Sequence, residues 1–380
     1  MRQETAFSRL WQGLIAPIDG WLFFFISLLF LISSFVLYSA SGGNFSKLDN
    51  KFVYTALGLF LMWVVATVPT KITMMTALPL YLLSLLMLVA VHFVGIKVNG
   101  STRWLNIGIQ IQPSEIMRLA MPMTLAWFFY HFEKEMGSWH YFFSALIMAI
   151  PAIFILKQPD LGTTIMVVWP ALIVIFSAGL SWRVIGVLLV LGSLLLGVVG
   201  VEAYRYMGEN SVKPTLLKEY QIKRITTALD PEADPLGSGY HVLQAKTAIG
   251  SGGILGTGWL QGSQTHGDFI PEQTTDFILA VYSEEFGFVG NVVLLLIYLG
   301  IVIRGLLIAL QCKDLYSRLM AAALSMSFVI YFFVNMGMVS GILPVVGVPL
   351  PFMSYGGTAS TMLFVSMGML MSFKQQGRRR

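Results

Sequence analysis

The chain of 380 residues carries only 19 Asp and Glu and 24 Lys and Arg, few enough to weigh one at a time. Glu115 and Arg118 stand at i and i+3, which puts them on one face of a helix and within pairing reach. Such a pair either locks helix packing or lines a polar cavity. Asp160 lies in Gln158-Pro159-Asp160-Leu161-Gly162-Thr163, just ahead of an apolar run. It can cap that helix by accepting backbone N–H bonds, and a cap can also serve chemistry. Asp276, in Thr274-Thr275-Asp276-Phe277-Ile278, again precedes an apolar run. A cap stabilised by the helix dipole and a general base held against apolar neighbours are both open for it. Glu284 and Glu285 follow two turns later, and either line the same cavity or sit at a membrane interface.

The elements that must position these groups are apolar. Hydrophobic residues make up 56% of the chain and charged residues 11%, against roughly 25% charged in a soluble domain. That excludes a cytosolic enzyme, a disordered chain and a coiled coil. A bilayer core takes about 20 apolar residues as a helix. Ten runs qualify: 21–38, 52–68, 77–96, 114–132, 139–156, 163–180, 184–203, 286–306, 319–340 and 357–373. The expectation is an all-α integral membrane protein, a single polytopic unit over 1–380 with about ten transmembrane helices. The first run has no small-residue cleavage site after it and reads as a retained span.

Basic residues set orientation. Ten spans put both ends on one side, with twelve Lys and Arg there against five in the short opposite loops (Lys47, Lys51, Lys97, Arg103 and Lys157), so both termini are expected in the cytoplasm. The long segment 204–275 then faces outward. It contains an amphipathic stretch, Tyr220 to Leu229, and a glycine-dense run from Ala248 to Trp259, with Phe269, Ile270 and Phe277 close by. Such a segment reads as an ordered outer lid or platform. The glycine run resembles a phosphate nest but lacks the P-loop ending, so it gives no ATP site. Arg103 and Trp104, in the loop after the third run, suit a lipid phosphate and a headgroup-level anchor. Arg224 and Lys246 on the long loop are further candidates for an anionic headgroup. The lone Cys312 reads as a small loop residue, and the five histidines show no ligand spacing. The net charge of +5 belongs to topology, not to nucleic-acid binding.

Several separated stretches together resemble the SEDS family, the shape, elongation, division and sporulation proteins. They are Gln112-Pro113-Ser114-Glu115, the Gln158–Thr163 stretch, Leu229-Asp230-Pro231 followed by Asp234 to His241, Ala248 to Gly253, Thr275 to Ile278, and Pro349 to Gly357. Tyr240-His241, the Ala248–Gly253 run and Val346-Gly347-Val348-Pro349 are similar to the elongation branch more than to the division branch. The resemblance implies a peptidoglycan glycosyltransferase of the bacterial inner membrane. Such an enzyme polymerises lipid II into β-1,4 glycan on the outer leaflet, beside a class B penicillin-binding protein and other elongation-complex membrane proteins. It implies that Asp276 matches the family's essential outer aspartate, and that Glu115, Arg118 and Asp160 match positions around the same cavity. The family commonly carries Lys where this chain has Arg118. A fixed counter-ion or phosphate clamp survives that change, and a role needing a deprotonatable amine does not.

The residues suit that reaction. A sugar 4-hydroxyl loses a proton as it attacks, which a carboxylate base assists. The departing undecaprenyl diphosphate gains charge, which Arg118, Arg224, Lys246 or a divalent cation such as Mg or Mn could offset. An α-linked donor and a β-linked product imply one inverting displacement, with no nucleotide required. Asp160 is either structural or helps to hold a cation. The alternatives are a lipid II flippase and a non-catalytic membrane scaffold for a penicillin-binding protein.

Overall fold

The computed structural model describes residues 17–98, 101–106, 108, 110–158, 160–180, 182–208, 219–233, 239–267, 269–270 and 272–379. The expectations for Arg2, Arg9, Pro159, Asp234 to Ser238, Pro271 and Arg380 fall outside these residues. In chain order the elements are helices α1 (Gly20–Ala40), α2 (Phe45–Thr67) and α3 (Thr70–Val94), and strands β1 (Ile96–Val98), β2 (Ser101–Asn106) and β3 (Gln110–Ile111). Then come α4 (Pro113–His131), α5 (Ser138–Lys157), α6 (Leu161–Ser177), α7 (Trp182–Gly208), α8 (Glu219–Leu229), α9 (Tyr240–Gly252) and the short α10 (Ser263–His266). The chain closes with α11 (Ile278–Gln311), α12 (Leu315–Val339) and α13 (Gly357–Arg379).

A helix covers each of the ten apolar runs. Among the described residues six of them, α1, α2, α3, α5, α11 and α12, are long and apolar enough to cross a membrane, and α6 is a shorter apolar helix. Several helices begin well before their apolar run: Phe45 against 52, Thr70 against 77 and Ile278 against 286. Hydropathy registers only apolar composition, whereas a helix continues wherever its backbone bonds and caps can be made. Asn44, for instance, caps α2 by accepting from Ser46 N at 2.9 Å. The eighth run opens at a real break, because α11 is two helices joined across Gly287, whose φ of 63° and ψ of −162° are not helical.

The all-helical expectation needs one correction. Strands β1, β2 and β3 form a small antiparallel sheet in the order β1-β2-β3, with Ile96 opposite Trp104 and Leu105 opposite Ile111. Its longest strand, Ser101-Thr102-Arg103-Trp104-Leu105-Asn106, has no alternation of apolar and polar residues to mark it in the sequence. The run is too short to register among ten helical ones.

Helix α12 is the centre of the bundle, packing against α4, α6, α9, α11 and α13, and α2 packs along α13. Lipid is as apolar as leucine, so contact between such helices depends on close fit. A Cβ on Gly305 of α11 would lie 2.0 Å from Ser325 Oγ of α12, and one on Gly58 of α2 would lie 2.1 Å from the Phe364 ring of α13. Large apolar side chains such as Trp21, Phe24, Leu86 and Phe93 remain exposed outward.

One end of the bundle is tied by Asp19. Its carboxylate caps α1 through Leu22 N at 3.0 Å, pairs with Arg304 of α11 at 2.7 Å and accepts a bond from Lys374 of α13. Burial alone would raise this carboxyl, but the two cations and the cap outweigh it and bring it to about 2. A carboxyl lowered from 3.8 adds stability that is complete above about pH 4 and is lost as the pH falls toward 2. Asp19→Ala strands two partly buried cations and is expected to cost about 3–5 kcal/mol, read as a lowered unfolding midpoint of the detergent-solubilised protein.

Candidate active site

Asp276 sits in the turn that leads into α11. The helix is capped by Phe277, without any side-chain cap bond, so the Asp276 carboxylate is not a cap. Its backbone is fixed from the other side. Asn335, fully buried on α12, donates from Nδ2 to Asp276 O at 2.9 Å and to Val348 O at 2.7 Å. The segment 345–356 between α12 and α13 is non-helical and runs beside this turn. Tyr355 N donates to Thr274 O at 2.9 Å, and Ser354 Oγ donates to Thr275 O at 2.6 Å. Gly347, at φ +69°, backs the carboxylate so closely that a Cβ there would stand 3.2 Å from Asp276 Oδ2. His241 of α9 stacks on Phe277 with ring centroids 5.9 Å apart. Among the described residues none donates a hydrogen bond to the Asp276 carboxylate. Burial, reinforced by the nearby Glu272 carboxylate and opposed by the Arg103 guanidinium, pushes its pKa up to about 6.

Asp160 stands on the neighbouring wall. It caps α6 through Thr163 N at 3.0 Å, and its other oxygen meets Arg103 Nη1 of β2 at 3.0 Å. The strand carries Arg103 to the mouth of the bundle, where it pairs with Asp160 and acts on Asp276. The start of α6 joins the same region, because a Cβ on Gly162 would meet Val346 O at 2.5 Å, one residue before Gly347. Glu115 and Arg118 on α4 form the expected pair, 2.8 Å apart and both mostly buried. The approach is off the hydrogen-bond line, which leaves Glu115 Oε2 and Arg118 Nη2 with unused bonding capacity. The Arg118 guanidinium lies 5.1 Å from the Tyr331 ring centroid on α12.

Not every candidate joins this group. Trp104 is half-buried on β2, and Arg224 of α8 is exposed. Lys246 of α9 is exposed and lies over the Gly341 turn, where a Cβ would meet its Cε at 2.4 Å. Cys312 is a buried cap at the end of α11, donating to Ile308 O. Among the described residues no three His, Cys, Asp or Glu side chains gather as a metal cage. The sequence reading passed over Asn335, Ser354, Glu272 and Lys51. Asn335 was visible as an amide inside an apolar run, whereas Lys51 had been counted as a loop cation.

The Glu284 and Glu285 side chains are occupied elsewhere than at Asp276. Both are fully buried and fasten residues 257–265 to α11. Glu284 accepts from Gln264 N, Thr265 N and Thr265 Oγ1 at 2.7–3.0 Å, and Glu285 accepts from Leu260 N and Ser39 Oγ. The glycine run serves the same junction and is not a phosphate nest. Cβ atoms on Gly252 and Gly256 would lie 2.1 Å from carbonyl oxygens of α11, and the Thr257 and Gly258 amides are bonded to Glu284 O and Glu285 O. Within the segment 204–275 the described residues Tyr240–Gly252 and Ser263–His266 are helical and packed against α11. Glu284→Gln replaces an acceptor of three bonds by an amide with a misdirected donor. Its expected cost of about 1–3 kcal/mol should appear as faster hydrogen exchange at the Gln264 and Thr265 amides.

Residues 16–379 match the FtsW/RodA/SpoVE model, described as cell cycle protein. The peptidoglycan glycosyltransferase MrdB of Escherichia coli K12 is 41% identical over 345 residues, covering 90% of each chain. A solved structure described as structural coordination of polymerization and crosslinking by a peptidoglycan synthase complex superposes with a TM-score of 0.75 at 29% identity, over 95% of this chain and 99% of that one. The crystal structure of the rod shape determining protein RodA of Thermus thermophilus gives 0.67 at 26% identity, over 95% and 97%. The chain belongs to the FtsW/RodA/SpoVE family of cell cycle proteins.

Proposed function

We infer that this protein is a peptidoglycan glycosyltransferase that polymerises lipid II on the outer face of the bacterial inner membrane, with Asp276 as general base. Its relatives bear that activity in their names. The carrying observation for the base is the state of the Asp276 carboxylate: positioned through its backbone, free of side-chain bonds among the described residues, and raised to about 6. A base of that pKa is ionised at neutral pH and still accepts a proton readily. The other well-buried carboxylates of this end, Asp160, Glu284 and Glu285, are each tied by hydrogen bonds.

In the reaction the acceptor 4-oxygen forms a bond to C1 of the donor sugar. The hydroxyl proton passes to Asp276, and the C1–O bond to the diphosphate breaks, its electron pair leaving with the diphosphate. One displacement of this kind inverts an α-linked donor to a β-linked product. Arg103, partly exposed and near enough to act on Asp276, is placed to meet the departing diphosphate. Arg224 and Lys246 on the outer helices offer further positive charge to headgroups. Glu115 and Arg118, already paired, shape the wall. Asp160 has both oxygens engaged and orients Arg103. These residues do not form a resident metal site, so a divalent cation such as Mg or Mn would arrive on the diphosphate, as Mg2+ commonly does.

The ten apolar runs support ten spans, and the charge bias supports both termini cytoplasmic with the segment 204–275 outside. The synthase complex among the similar structures supports a crosslinking partner of the class B penicillin-binding type.

The test is lipid II polymerisation by the purified protein with that partner, its transpeptidase serine disabled. Wild type is expected to give long strands, and folded Asp276→Asn a loss of about 100-fold or more, the scale of a positioned base. Normal strands from Asp276→Asn would refute the base. No strands from wild type, where a control polymerase makes them, would favour a flippase or a scaffold.

A further inference from the structure

Lys51 is a lysine in the wrong place for a topology signal. It lies in the second turn of α2, is only 7% exposed, and among the described residues no carboxylate pairs with it. A buried amine held this way needs a reason. Its Nζ donates to Met353 O at 2.9 Å, and Ser33 Oγ of α1 donates to the same oxygen at 3.1 Å. Met353 follows Phe352, whose φ of 59° is in the left-handed region that only glycine adopts freely. Met353 also precedes Ser354 and Tyr355, the two residues bonded to Thr275 O and Thr274 O.

We propose that Lys51 is a positioning residue for the transferase reaction, a strut that holds the strained turn at Met353 and through it sets the backbone carrying Asp276. The path is continuous. Lys51 and Ser33 fix the Met353 carbonyl, Ser354 Oγ accepts from Leu350 N and donates to Thr275 O, and Asp276 is the next residue. Asn335 grips Asp276 O and Val348 O at the other end of the same segment. The space beside Lys51, lined by Tyr54, Ser354, Tyr355 and Ser360, measures about 20 Å³. That is room for about one water, and the partner that Lys51 Nζ holds is the Met353 carbonyl. The turn's strain and its lack of repeating backbone bonds make a fixed side-chain donor useful here, because a buried carbonyl left without a partner is costly.

The inference rests on Asp276 being the base, and the two ideas separate experimentally. The full-length protein, with its crosslinking partner, is assayed for lipid II polymerisation as wild type, Lys51→Met, Lys51→Arg, Ser33→Ala and Asp276→Asn. Hydrogen exchange at the Tyr355 amide is followed in parallel. A displaced base costs about 10- to 100-fold in rate. Lys51→Met is therefore expected to lower kcat by that factor with KM held within about twofold, and to speed exchange at Tyr355. Lys51→Arg should restore most of kcat. Ser33→Ala, which removes only the neutral donor, should show the same pattern more weakly, and it serves if Lys51→Met does not fold. A raised KM with kcat unchanged would mean that Lys51 touches substrate and would overturn the strut. Unchanged kcat and unchanged Tyr355 exchange in both Lys51→Met and Ser33→Ala would also overturn it. Full activity in Asp276→Asn with faster Tyr355 exchange in Lys51→Met would refute the base while leaving the strut standing.

Discussion

Backbone that leaves the helical state among membrane helices must find its hydrogen bonds inside the protein, and here Asn335 carries that burden. One side-chain amide on the central helix bonds two carbonyls from two non-helical segments, Asp276 O before α11 and Val348 O before α13. Without it both segments would hold unpaired polar groups beside apolar helices, each a substantial penalty. With it, the entry to α11 and the segment 345–356 form one unit, to which Ser354, Tyr355 and Gly347 then add. The site's geometry is set by backbone contacts, which leaves the Asp276 side chain free to act.

The carboxylates divide by what their oxygens do. Asp19 is consumed by two cations and a helix cap. Glu284 and Glu285 are consumed by the outer loop, and Asp160 by a cap and Arg103. Each is an anchor between elements distant in sequence: α1 to α11 and α13, the outer loop to α11, β2 to α6. Asp276 alone among these five is held through its main chain with no hydrogen bond to its carboxylate among the described residues. That difference turns a helix-entry aspartate into a candidate base, and it is a statement about bonds, not about sequence context.

The sequence exposed the helices well because lipid-facing composition is a strong signal, and the Glu115–Arg118 pair because i,i+3 spacing settles it locally. Asp276 and Asp160 were marked by their places before apolar runs, yet their local sequences looked alike. Only contacts from α12, β2 and the 345–356 segment make one a bonded cap and the other an unbonded carboxylate. The roles of Glu284 and Glu285 were hidden for the same reason: the partners that consume them lie 19 to 25 residues back in the glycine-rich loop, and Ser39 lies on another helix. The small sheet that aims Arg103 depends on pairing across turns too short for hydropathy to register. Lys51 was hidden by being a cation near a helix end, where composition reads orientation and geometry reads a buried donor.

In the proposed reaction a carboxylate raised by burial, and restrained by Arg103, takes the acceptor proton. The pH dependence of kcat/KM for polymerisation tests it most directly, in wild type and in Arg103→Met. An Asp276 at about 6 predicts activity falling as the pH drops through that value, as the base becomes protonated. Removing the cation that holds the carboxyl down predicts an acid limb displaced to higher pH in Arg103→Met. An acid limb near the ordinary aspartate value, or one that Arg103→Met leaves in place, would contradict the account.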